Sequence, residues 1–321
     1  PYRAYKTLRA VSLLSAVPPL IVSIALLVQY DYGQGGFQFM ETFRVIPALG
    51  IQYHLAVDGL SIPLVYLTAF IYLTGITTTW YLKKREKEFF LFLGLLVTGV
   101  FGVFTSLDLF LFFLFYELAV LPMYVLIGIF GSTMEIPGKG PFAWTYKAVR
   151  VGIKEYGAMK LTLYLLAGSA FILVGLFLLY VEGHDSLGVW TFDFLQLMNA
   201  EFTAWTGGLL FLLFYVGFGI LAGIWPFHTW SPDGHAAAPA AGSMRHAGVL
   251  MKLGADGVLR VGFQLLPEAA HDWAWLVGTV AAINILWGAM AAGWQTDIKY
   301  LIAYSSVSHM GIVMLGMATL T

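Results

Sequence analysis

Nine apolar stretches, each near the roughly 20 residues a helix needs to cross the hydrocarbon core of a bilayer, constrain this chain more than any other feature. They run near 10–30, 60–82, 89–106, 108–130, 157–182, 207–224, 240–262, 272–293 and 299–320. Of the 321 residues 59% are hydrophobic and 11% charged, against about 25% charged in soluble domains. The expected solvent is therefore lipid, and the expected fold an all-α polytopic membrane protein forming one membrane domain over 1–321. A polar, Gly-containing stretch (31–59) separates the first two spans, and 189–199 (VWTFDFLQLMN) reads as a short helix lying at the interface. The chain opens on Pro1 without an initiator Met and is still apolar at Thr321, which we expect of a piece of a longer protein.

The distribution of Lys and Arg tests the count, because a wrong number of crossings scatters them over both sides. Arg3, Lys6 and Arg9 precede the first span; Lys83, Lys84, Arg85 and Lys87 follow the second; Lys139, Lys147, Arg150 and Lys154 follow the fourth; Lys299 follows the eighth. All fall on one side, which we expect to be cytoplasmic. The other side has Arg44 and, at a helix end, Arg260; its 183–206 loop carries Asp185, Asp193 and Glu201 without Lys or Arg. With no cysteine, disulfides, Cys-ligated iron–sulfur clusters, Cys zinc sites and thiolate catalysis are excluded. A net charge of −1 gives no sign of a nucleic-acid partner.

Charges inside the spans need an explanation, since an ionisable group at the bilayer centre costs about 2.5–3.5 kcal/mol even on the lenient insertion scale. Four candidates remain: Glu117 in LFFLFYELAVLPMY, Lys160 early in the next span, Lys252 in HAGVLMKLGADGVLR and His309 in SSVSHMGIVML. Burial drives a carboxyl and an amine toward the neutral range from opposite directions, which is what a proton relay needs; the alternative is a structural ion pair between Glu117 and a buried lysine. Arg245, Lys252 and Asp256 are spaced by seven and four, predicting one charged helix face. Ser305 lies four before His309, so that histidine reads equally as a proton carrier or as a satisfied packing residue.

Residues 219–242, GILAGIWPFHTWSPDGHAAAPAAG, place Pro226, Pro232, Pro239 and several glycines in an apolar run, with His228, Asp233 and His235 among them. Such a run is not one continuous helix. Irregular backbone at membrane depth is tolerated where it lines a cavity or is covered by protein, and broken helices mark ion sites in transporters. His228 and His235 stand seven apart through proline with no third ligand adjacent, which argues against a metal site.

The strings YHLAVDGLS (53–61), LDLFLFFLFYELAVLPMYVLIG (107–128), AMKLTLYLLAGSAFIL (158–173), PFHTWSPDGHAAAPAAGS (226–243), AGVLMKLGADGVLR (247–260) and QTDIKYLIAYSSVSHMG (295–311) resemble the antiporter-like subunits of respiratory complex I, in particular the M-type subunit. The resemblance implies a fold of about 14 helices in two inverted repeats, each with a broken helix. The first repeat would occupy roughly 89–262 and the start of the second 272–321. By position, Glu117 matches that family's essential membrane glutamate, Lys160 the lysine on the neighbouring helix, Lys252 the central lysine and His309 a histidine on the polar axis toward the second half. His228, Asp256, Arg245 and Ser305 would support them. One departure stands out: where the family usually has a lysine paired with the glutamate, this chain has Leu221, with Gly223 in place of the following proline. Lys160 is then the expected substitute partner of Glu117. Arg245, His246 and Asp256 also depart from the family's usual residues.

What the resemblance implies is a proton-translocating subunit of a complex I-type NADH:quinone oxidoreductase in the bacterial cytoplasmic membrane. Its partners would be other membrane subunits, neighbouring antiporter-like ones included, and the lipid bilayer. No cofactor or metal is expected in this chain, the redox reaction falling to partner subunits. The alternatives are a sodium/proton antiporter or membrane hydrogenase subunit, and a non-pumping structural subunit, the last motivated by Leu221. A receptor or lipid-modifying enzyme lacks support, since the buried charges form no metal or nucleophile constellation.

Overall fold

The computed structural model describes residues 2–80, 82, 85–133 and 153–319. Lys83, Lys84, Lys139, Lys147 and Arg150 lie outside them. Among the described residues eight helices are long and apolar enough to cross a membrane. They derive from α1 (Tyr2–Gln29), α2 (Ser61–Thr78), α3 (Glu86–Thr105), α4 (Leu109–Phe130), α5 (Lys154–Leu187), the pair α7 (Ala204–Ala222) and α8 (Trp230–Ala237), α11 (Pro267–Gly293) and α12 (Ile298–Ala318); α6 is a single turn, Phe194–Leu197. The expected span at 240–262 is built differently. Helix α9 (Ala240–Arg245) leads into a π-helical stretch, His246–Leu250; α10 (Met251–Gly257) follows, and a second π stretch, Val258–Gln264, ends it. Lys299 binds the carbonyl of Ala238 at one end, and Arg260 pairs with Asp58 at the other, so this segment also crosses.

Charge sidedness is visible in the contacts. Arg9 of α1 pairs with Glu86 at the start of α3 at 2.5 Å and donates to the carbonyl of Leu82. Lys154 donates to the carbonyl of Ile129, and Lys299 reaches Ser132, Ala236 and Ala238. These basic ends share one face of the bundle.

The opposite face holds an element that hydropathy does not announce. Residues 31–59, read as a polar connection, contain an antiparallel hairpin of β1 (Gln38–Ile46) and β2 (Ile51–Val57), turned at Gly50 with φ +68°. A Cβ on Gly50 would fall 2.0 Å from the Trp190 carbonyl oxygen, so both space and backbone require glycine there. Strand β1 is exposed; β2 is largely buried and docks on the α3–α4 corner, where Leu107 N–H donates to the His54 carbonyl. The carboxylate of Asp108 caps α4 through Phe110 and Leu111 N–H and also accepts from Gln52 N–H of β2. His54 Nδ1 meets Asp193 Oδ2 at 2.5 Å. The expected interfacial helix over 189–199 is helical only at Phe194–Leu197, because Phe192 and Asp193 are spent pairing with the α4 corner and the hairpin.

Small residues let the long helices approach closely, as is usual where lipid supplies no hydrophobic drive between helices. A Cβ on Gly99 of α3 would lie 2.5 Å from the Ala119 nitrogen of α4, and one on Gly254 of α10 would lie 2.4 Å from the Ala222 nitrogen of α7. One continuous apolar core, from Phe89 and Leu93 through Tyr116 and Phe218 to Val307, fills the interior.

Candidate functional site around the broken helix

Helix α7 stops at Gly223, left-handed with φ +73°, and Pro226 supplies no N–H. Residues Phe227–Thr229 form a tight 3₁₀ turn before α8 begins at Trp230. The polar groups released by the break find protein partners: Trp225 N–H donates to Asn284 Oδ1 of α11 at 2.9 Å, and Trp230 Nε1 donates to the Ile220 carbonyl at 2.9 Å. Asn284 in turn donates to the Val307 carbonyl of α12. The break expected within 219–242 is thus present and covered by two further helices, the condition for irregular backbone at this depth.

Lys160 does not substitute as the partner of Glu117. Its Nζ lies 2.7 Å from Asp233 Oδ2 on α8, and the other oxygen of Asp233 accepts from the Tyr300 hydroxyl of α12 at 3.0 Å. Glu117 neighbours Ser169 of α5, nine residues beyond Lys160, which is about 14 Å along a helix axis. Position along α5 therefore separates the two charges. One carboxylate oxygen of Glu117, Oε1, is buried without a hydrogen-bond partner. Leu221 is fully buried on the last turn of α7, one turn after Phe218, which meets Tyr116 edge-on at 6.4 Å.

The expected single face of Arg245, Lys252 and Asp256 is divided. Arg245 turns to α2, its guanidinium 5.2 Å from the Tyr72 ring centre and 3.5 Å from the Tyr72 carbonyl. Lys252 reaches back to the Ala247 carbonyl. Asp256 reaches forward to Arg260 Nε, both oxygens at 3.1 Å, and Arg260 Nη2 meets Asp58 at 3.2 Å. A π turn takes more residues than an α turn, so spacing by seven across His246–Leu250 no longer returns to the same side. Arg260, read from sequence as a charge at a helix end, is a buried member of an Asp256–Arg260–Asp58 network.

His228 is buried on the 3₁₀ turn, its Nε2 accepting from Trp287 Nε1–H at 3.0 Å. His309 faces outward on α12 and Ser305 is half-buried, while the neighbouring Ser308 is buried and donates to the Ile285 carbonyl. The structure therefore gathers Lys160 and His228 with Asp233 near the break and keeps His309 apart. Asp233 and the touching rings of His235 and His246, 4.0 Å between centres, stood out in the sequence without a role, and Tyr300 did not stand out at all. Their signal was weak because Asp233 sits among prolines and Tyr300 at a span end. Among the described residues no three His, Asp or Glu side chains gather as a metal-holding group.

The chain is 37% identical to NADH-quinone oxidoreductase subunit M of Rhodobacter capsulatus over 314 residues, 95% of this chain and 57% of that protein. It is 35% identical to the subunit M of Escherichia coli over 321 residues, 98% of this chain and 60% of the other. To NAD(P)H-quinone oxidoreductase chain 4 1 of Synechococcus elongatus it is 38% identical, over 90% of this chain and 50% of that one. It thus spans half to three-fifths of the length of these curated relatives. The fold matches a chain of respiratory complex I from Thermus thermophilus with a TM-score of 0.80 at 24% identity, covering 97% of this chain and 60% of that chain. It matches a chain of the Mrp complex from a Dietzia species with a TM-score of 0.74 at 19% identity, covering 98% and 54%. A family model described as NADH:quinone oxidoreductase/Mrp antiporter, transmembrane, matches residues 148–321, more than half of the chain. The chain belongs to this NADH:quinone oxidoreductase/Mrp antiporter transmembrane family.

Proposed function

We propose that this protein is a proton-translocating membrane subunit of a complex I-type NADH:quinone oxidoreductase in the bacterial cytoplasmic membrane. In this reading it works beside other membrane subunits, with the redox centres and cofactors in those partners and none in this chain. Residues 89–262 form the first of two inverted repeats. The observation that carries the proposal is the set of titratable side chains from α4, α5, α8, α10 and α12 set within apolar spans around a broken helix: Glu117, Lys160, Asp233, Lys252 and Tyr300. Stability does not account for such a set, because buried ion pairs are weak stabilisers compared with well-packed apolar residues.

Each residue has a role in this reading. Glu117, with a buried unpartnered oxygen, accepts a proton. Lys160 is held as an ammonium by Asp233 and releases its proton when that pair is drawn apart. Lys252 is the central carrier, and His309 passes the proton toward the second half. His228, Arg245, Asp256 and Ser305 support the axis. Moving one proton against 100 mV requires about 2.3 kcal/mol, so the drive must reach these side chains from partner subunits. Glu117→Gln or Lys252→Ala is expected to lower the protons moved per electron while leaving assembly intact; an unchanged ratio in both overturns the proposal.

Leu221 favours a second reading, a non-pumping structural subunit of the same complex. Restoring the family residue with Leu221→Lys without effect, together with a dispensable Glu117, would support that reading. The shared fold of the Mrp chain keeps a cation/proton antiporter as the rival in transport chemistry, and sodium dependence of transport in vesicles separates it.

A further inference from the structure

His246 opens the π stretch between α9 and α10, and its ring stands 4.0 Å, centre to centre, from that of His235 on α8, tilted by 44°. Both histidines are buried, at 0% and 1% exposure. Trp230 covers His246 at 5.0 Å. Gly234 leaves it room, since a Cβ there would lie 3.3 Å from His246 Cε1. His235 Nδ1 meets Ser243 Oγ at 3.2 Å, but His235 Nε2 and both ring nitrogens of His246 are buried without partners. A buried polar group left unpaired costs about 1–3 kcal/mol, and a Phe ring would pack against Trp230 without that cost. Packing therefore does not explain two imidazoles in contact at this position. The charged groups around the pair are Lys252 of α10 and Lys299 of α12, within electrostatic reach, Arg245 next in the chain and Asp233 two residues before His235.

We propose that His246 is a proton carrier joining Lys252 to His235, and so to the Lys160–Asp233 pair on the same half-helix. The inference rests on the proton-translocating reading above and adds a route that needs no titratable group at Leu221. In the transfer, the Lys252 side chain leaves the Ala247 carbonyl it binds at rest, the imidazole rings turn to bring donor and acceptor nitrogens within hydrogen-bond reach, and the ammonium gives one proton to an unprotonated ring nitrogen of His246. The imidazolium so formed releases the proton on its other nitrogen to His235 Nε2. Lys252 is left as an amine, His246 as the opposite neutral tautomer and His235 as the cation, so charge and protons balance without a co-reactant.

The test uses inside-out vesicles carrying the intact complex, with His246→Leu, His246→Gln and, as control, Glu117→Gln. Gln keeps a polar side chain but cannot take up a proton. A carrier at 246 predicts that Leu and Gln both lower proton translocation per electron to the level of Glu117→Gln, with electron transfer and assembly retained. Pumping retained in His246→Gln while Glu117→Gln is defective overturns the carrier and leaves the broader reading standing. Normal pumping in all three overturns both. Should His246→Leu fail to assemble, His246→Gln and His235→Gln decide the question by the same readout.

Discussion

Lys160 and Asp233 are the clearest case in which a charge in a span has a partner that the chain order hides. They meet at 2.7 Å although 73 residues apart, with side-chain exposures of 19% and 15%. Asp233→Asn leaves the Lys160 ammonium without its counter-charge, and removing one member of a fully buried pair costs about 3–5 kcal/mol, an upper bound for this half-buried one. The expected result is a lower melting temperature in detergent together with weaker pumping. Lys160→Met combined with Asp233→Asn should recover the melting temperature but not the pumping; recovery of both would make the pair purely structural. That Lys160 and Glu117 are charges set inside spans was legible in the sequence, because a charge among about 20 apolar residues stands out by itself. Their partners were not, since whether Lys160 faces Glu117 or Asp233 depends on how far the break carries α8 along α5.

At the level of elements, the departures from regular structure place the site. The π stretches flanking α10 redirect Arg245 toward Tyr72 and Asp256 toward Arg260, undoing the seven-residue spacing that predicted one charged face. Proline and glycine content announced the break at 223–229; nothing comparable announces a π turn, whose residues HAGVL and VLRVGFQ read as ordinary helix. The hairpin was equally hidden, because β1 carries Glu41 and Arg44 among exposed apolar residues and its order comes from β2 docking on Leu107 and Asp108. Close packing of α10 on α7 makes a direct prediction. Gly254→Val places a Cβ 2.4 Å from the Ala222 backbone nitrogen, immediately before the break, and cannot be absorbed by a side-chain rotation. Assembled protein should be strongly reduced, whereas Gly293→Ala, with open space at its Cβ, should leave the amount of assembled protein unchanged.

At the scale of the whole molecule, the described basic ends lie where the sequence puts them, because Lys and Arg at span ends sort by topology and survive uncertainty in boundaries. Arg9, Lys154 and Lys299 do share one face, opposite the hairpin. The chain has no cysteine, so single introduced thiols report orientation cleanly. Thr133→Cys should react with an impermeant maleimide from the cytoplasmic side and Gln34→Cys from the other; the reverse pattern would invert the assigned orientation. Function at this scale depends on whether the half-buried titratable groups on five helices form one conducting axis or several local contacts. The most direct measurement is the proton-to-electron ratio of the intact complex in inside-out vesicles, compared between the unaltered protein and Glu117→Gln at matched electron-transfer rates. A conducting axis through this chain predicts a lower ratio in the variant, and an unchanged ratio with full assembly would contradict it.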